Sequence, residues 1–164
     1  MRLLLITLLL ASINLSAQKK TRFTFADKTF KVGSIHKVDP DFQFDYEEKI
    51  DEFTSFYGSN KEVFDKIIKF LEDHPGISLE VGCHTDARGS EKANLELSQD
   101  QAERIVSILI QHNIAVERLI AKGYGESELA VPPAKTDALK GDAKENAHKM
   151  NRRTELKIIE IKEL

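Results

Sequence analysis

The apolar residues between positions 61 and 109 change their spacing twice, and this limits the folds open to the chain more than any other feature. Val63, Phe64, Ile67, Ile68 and Leu71 recur at helical spacing, and Pro75-Gly76 stops that run. Ile77, Leu79 and Val81 then alternate with Ser78, Glu80 and Gly82, the period of a strand that runs straight into Cys83-His84-Thr85-Asp86. Ala102, Ile105, Val106 and Leu109 return to helical spacing. A strand between two amphipathic helices must bury one face against both, which points to a two-layer α/β arrangement.

The flanks extend the pattern. Phe30 to Phe44 reads as β-structure broken by Gly33 and Asp39-Pro40, and Asp51 to Asn60 as a loop or short turn. Ser59-x-x-Glu62 and Ser98-x-x-Gln101 have capping-box spacing, which would start the two helices there. Arg118 to Lys122 is a third strand ended by Gly123 and Gly125, and residues 126 to 141 form a loop. Asp142 to Met150 makes a short helix, and Thr154 to Lys162 is a last strand with Leu156 and Ile158 opposite Glu155 and Lys157. The expected order is strand–helix–strand–helix–strand–strand, with the helices on one face of the sheet.

The N-terminus reads as a targeting segment. Arg2 precedes an apolar run from Leu3 to Leu10 that is too short to span a bilayer, and Leu15-Ser16-Ala17 is a cleavage site, so residues 1–17 are expected to be removed. Gln18 rather than cysteine follows, so no lipidated N-terminus is expected, and the mature chain is expected to have no transmembrane segment. Residues 18–29 read as a polar lead-in of low order, ahead of a domain over 30–164. The formal charge of −3 is spread along the chain, and with no Trp and no basic stripe the sequence argues against nucleic acid as a partner. Cys83 is the single cysteine; a lone exported thiol is either reactive or a small buried hydrophobe.

Two separated signatures carry a family resemblance. The first is Cys83-His84-Thr85-Asp86-Ala87-Arg88-Gly89, with Asn94 and Leu97-Ser98-Gln99-Asp100-Gln101-Ala102 after it; the second is Gly123-Tyr124-Gly125-Glu126-Ser127, with Asn151-Arg152-Arg153 near the end. Together they resemble the OmpA-like domain of outer-membrane protein A and peptidoglycan-associated lipoprotein. The resemblance covers roughly residues 30 to 162 and implies the OmpA-like sandwich, a mixed β-sheet with helices on one face. It also implies non-covalent binding of the diaminopimelate-bearing stem peptide of peptidoglycan in a Gram-negative periplasm, at the cell wall or outer membrane. In the family an aspartate takes the ligand ammonium and an arginine its carboxylate, a division that charge-assisted and bidentate bonding favours. Asp86 stands at the first of these positions. Gln101 stands where the family has arginine.

The candidate ligand-binding residues are therefore Asp86, Arg88, Asn94 and Gln101, and each has a plainer reading. Asp86 can be a turn former and Asn94 a loop-to-helix turn residue. Arg88 lines the pocket or is a solvated surface residue. Gln101 completes the capping box of a helix starting at Ser98, and its neutral amide would bind a carboxylate about an order of magnitude more weakly than a guanidinium. Arg88 and Arg104 are candidate replacements for the missing cation, while Arg152 and Arg153 read as structural. His84 and Asp86 alone are a weak zinc signal, and no Ser-His-Asp set or phosphate loop occurs, so neither enzymatic activity nor a cofactor is expected. The rival reading is a module that keeps this fold but binds another envelope protein, with residues 123–141 as its surface.

Overall fold

The computed structural model describes residues 21–38, 42 and 52–163; the segment 1–17, expected to be a targeting signal, therefore lies outside the described residues. The elements, in chain order, are β1 (Ile35–Lys37), α1 (Glu52–Ser59), α2 (Lys61–Asp73), β2 (Ile77–His84), α3 (Glu91–Gln111), β3 (Leu119–Gly125), α4 (Pro133–Asp137), α5 (Gly141–Asn151) and β4 (Arg153–Ile161). The strands form one sheet in the order β1-β4-β2-β3, with β2 and β3 parallel and the other pairs antiparallel. This is the α/β arrangement the periodicity calls for, with the mixed sheet that the resemblance implies.

One face of the sheet is the core. Leu79, Val81, Cys83, Leu156 and Ile158 sit within a single buried cluster with Phe64, Ile67 and Leu71 of α2 and Ala102, Ile105, Ile108 and Leu109 of α3. The helical stripes read from the sequence are thus the faces that meet the strands. On β2 both faces are buried, not only the apolar one. Central position explains this: Glu80 accepts a 2.7 Å hydrogen bond from the Tyr124 hydroxyl and has Lys157 across the strand pair at 3.9 Å. Cys83 is buried, and that burial pushes its thiol up to about 12, a 3.6 Å contact with Thr154 Oγ1 offsetting little of it. It is the packed hydrophobe of the two alternatives.

Several elements differ from the sequence reading. Residues 52–59, expected as loop, form α1, and Ser59 is its last residue; α2 is preceded instead by Asn60, whose side chain makes no capping bond to the helix start but donates to Phe56 O at 3.0 Å. Residues 126–141 contain α4, with Pro133 supplying a preset first helical turn. Among the described residues of 30–44 the strand is Ile35–Lys37, and most of the stretch from Asp39 to Phe44 lies outside the described residues. The described part of the lead-in is not of low order: Phe23 is 4% exposed and stacks on Phe70 at 5.5 Å, with Phe25 and Phe30 closing on the same ring. Aromatic area outweighs the polar character of the surrounding residues.

The largest correction concerns α3. It starts at Glu91, capped by Ser90, whose side chain accepts from the Ala93 amide at 3.2 Å. Ser98 lies fully buried within the helix, where its hydroxyl donates to Leu95 O at 2.9 Å and accepts from the Gly125 amide at 2.8 Å. Gln99 accepts from the Gly123 amide at 2.7 Å. The two glycines let α3 lie this close, since a Cβ on Gly123 would come within 2.4 Å of the Gln99 nitrogen, and Gly125 has φ +51°. At the opposite side of the sheet, residues 21–23 cover β1: the Phe23 amide donates to Ile35 O at 3.1 Å, and the Ile35 amide to Thr21 O at 2.8 Å.

Candidate functional site

Because β2 and β3 run parallel, the two motif loops leave the sheet at the same end, where the Thr85 amide donates to Gly125 O at 2.9 Å. Asp86 sits in this bend and is only 5% exposed. The Arg88 amide donates to Asp86 Oδ1 at 3.0 Å, which is the aspartate-initiated turn that the sequence allowed. The Arg88 side chain then folds back onto the same carboxylate, with Nε 3.0 Å from Oδ1 and Nη2 2.6 Å from Oδ2. Arg152 Nη1 reaches Oδ2 at 2.7 Å. Both guanidiniums also reach Glu145 of α5, Arg88 Nη1 at 3.2 Å and Arg152 Nη2 at 2.9 Å.

Two carboxylates and two guanidiniums thus alternate in a closed ring. Its inner anion is buried, while the Arg88 and Arg152 side chains are 54% and 43% exposed. Burial alone would raise the Asp86 carboxyl, but the hydrogen bonds from Arg88 and Arg152 outweigh it and bring the group down to about 2. His148 adds Nδ1 3.8 Å from Asp86 Oδ2, and that nitrogen is buried without a hydrogen bond. Asn94 supports the loop from α3: its Nδ2 donates to the backbone oxygen of Asp86 at 3.2 Å and to the Glu126 carboxylate. Gly89, at φ +101°, makes the turn that brings Asn94 there.

Asp86, Arg88 and Asn94 are therefore brought together, and Gln101 is not part of the ring. Gln101 lies two turns beyond Asn94 on α3, about 10 Å along the axis, and about three turns from the helix start. It is not a capping residue, and the helix-end amides do not surround it. Arg104 lies over the Phe56 ring at 5.9 Å, which directs it toward α1 rather than toward the ring of charges. His84 is buried and stacked on Tyr124 at 4.6 Å, with Glu155 3.8 Å away, consistent with a packed histidine. Among the described residues no group of His, Cys, Asp and Glu could hold a metal ion.

Arg152 and Glu145 are the residues that sequence reasoning missed. A signal exists: Glu145, His148 and Arg152 fall at i, i+3 and i+7, one stripe of α5 and its C-cap. The Asn151-Arg152-Arg153 motif divides its labour three ways. Asn151 pins the loop by exchanging bonds of 2.8 and 3.0 Å with the Val131 backbone. Arg152 turns to Asp86, and Arg153 holds Glu155 at 2.8 Å and Glu128 O at 2.9 Å.

This mixed sheet with its helices is the fold of a known class. The sequence profile of the OmpA family matches residues 54–146, more than half of the chain, and the chain belongs to the OmpA family. Outer membrane porin F of Pseudomonas fluorescens is 34% identical over 96 residues, which is 58% of this chain and 28% of the porin. The peptidoglycan-associated lipoprotein of Legionella pneumophila is 29% identical over 62 residues, or 38% of this chain and 35% of that protein. The matched stretches thus span only 28% and 35% of these two relatives. Among solved structures, the peptidoglycan-associated lipoprotein from Burkholderia pseudomallei gives a TM-score of 0.52 at 22% identity, covering 70% of this chain and 86% of that one. The periplasmic domain of Helicobacter pylori MotB gives 0.55 at 20% identity, covering 85% and 86%. These two likenesses concern the fold. Among the described residues no helix is long and apolar enough to cross a membrane.

Proposed function

We propose that this chain binds peptidoglycan non-covalently in the envelope of a Gram-negative cell, on the periplasmic side and after loss of residues 1–17. The ligand is the diaminopimelate-bearing stem peptide, held at the loop end of the sheet by the region of Asp86, Arg88, Asn94 and Gln101. The observation that carries this reading is the ring itself. Asp86, from the first family signature, and Arg152, from the second, meet at 2.7 Å beside a half-exposed Arg88. Such a set suits a zwitterion, because the part-exposed Arg88 and Arg152 and the exposed Glu145 beside them offer charges of both signs within one small surface. The names of the relatives, with a peptidoglycan-associated lipoprotein among them, point the same way.

Sedimentation with purified sacculi tests the reading. The wild-type protein is expected to pellet, and Asp86→Asn to remain in the supernatant at a temperature where its melting curve shows it folded. A wild type that stays in the supernatant overturns the proposal. One observation favours a second reading, an OmpA-like module that binds another envelope protein: the family's ligand arginine is replaced by Gln101, and Asp86 faces inward. In that case the wild type stays soluble beside sacculi.

A further inference from the structure

The ring contains a feature that the family pattern does not describe. Asp86 already receives the Arg88 amide, the Arg88 side chain and Arg152, and it is buried. An ammonium could approach it only by displacing a guanidinium. Glu145 is different. Its side chain is 56% exposed, and it meets each arginine through a single longer contact, 3.2 and 2.9 Å, against 2.6 and 2.7 Å for Asp86. Solvated single contacts of this kind hold weakly, whereas buried charge-assisted ones hold well. The outward N–H groups of Arg88 and Arg152 therefore converge on one carboxylate that is easily released.

We infer that Glu145 is an internal stand-in for a ligand carboxylate, and that the Arg88–Arg152 pair is the carboxylate-binding half of the site. This rests on the peptidoglycan reading above and deepens it. The cation that Gln101 does not supply comes instead from the far side of the pocket. Asp86 is then a positioning residue, which fixes both guanidiniums with their outer edges side by side. A free carboxylate of diaminopimelate replaces Glu145 and takes one N–H from each arginine in a fork that a water-exposed side chain on α5 does not hold rigidly.

The test uses titration calorimetry with two stem tripeptides, one with the side-chain carboxylate of diaminopimelate free and one with it amidated. Amidation removes the charge that the arginines receive, so the wild type is expected to bind the amidated peptide about tenfold more weakly. Arg152→Gln is expected to bring the two affinities to within about twofold of each other. Glu145→Gln, an exposed change, is expected to widen the ratio by severalfold by removing the competitor. The inference is overturned if the wild type binds both peptides equally, or if Arg152→Gln keeps the full ratio. Should Arg152→Gln fail to fold, Glu145→Gln decides alone, and an unchanged ratio overturns the idea. Wild-type binding to sacculi without an amidation effect would remove this inference and leave the peptidoglycan reading standing. Failure to bind sacculi and both peptides would remove both.

Discussion

Asp86 is held in its charged form by two arginines, and this sets how the protein responds to acid. Its ordinary value of 3.8 falls to about 2 in the folded state. The folded group therefore binds its proton less readily than the unfolded one. Its stabilising contribution is complete above about pH 4 and is lost as pH falls toward 2. The shift corresponds to something on the order of 2 kcal/mol. Urea unfolding at about pH 5 and about pH 2 should show wild type losing roughly that much more than Asp86→Asn. Equal losses in the two proteins would show that the ring does not control the acid limb. The sequence made the turn at Asp86 legible, because an aspartate followed by glycine in a short loop bonds its own backbone. It did not reveal that the same carboxylate would be covered, since Arg152 lies 66 positions away and only the closing of the sheet brings it near.

At the scale of single elements, α3 shows where periodicity succeeds and where it fails. Its C-terminal half was readable because Ile105 and Leu109 face the sheet and are fully buried. Changing either to Ala should cost about 2–5 kcal/mol in chemical denaturation. A loss under about half a kcal/mol would mean that this face does not carry the core. Its first turns were missed because they bury Asn94 and Ser98 while Leu95 and Leu97 remain exposed. A helix whose buried face is polar has no apolar stripe to read. Ser98-x-x-Gln101 then imitated a cap within the helix, while the actual start, Ser90 followed by Glu91, carried an acceptor and an acidic first turn. The misplacement mattered for function, because it put Gln101 beside helix-end amides that are in fact about three turns away.

For the molecule as a whole, the core and the α/β class followed from the alternation of helix and strand periods, while the order of strands in the sheet and the role of the N-terminal segment did not. Phe23 docks on Phe70 and lies in the same buried cluster as the sheet. Phe23→Ala should therefore destabilise the whole domain by about 3–5 kcal/mol, lowering a single cooperative melting transition. A variant that melts as the wild type does would mean that residues 21–30 are an appendage. Isolated aromatics in a polar stretch give no period, so this contribution was invisible before the fold was known.

The covering of the two outer strands has a further consequence. A sheet grows into fibrils, or pairs with a neighbouring molecule, by offering unpaired amides and carbonyls along an outer strand. Here the amides of Gly123 and Gly125 are taken by the side chains of Gln99 and Ser98, and Ile35 is bonded on its outer side by residues 21–23. The same close approach that seats α3 on β3 thus deprives a foreign strand of its template. Protection of the β3 edge is built into the helix that carries Asn94, so the support of the Asp86 loop and the guarding of that edge depend on one element.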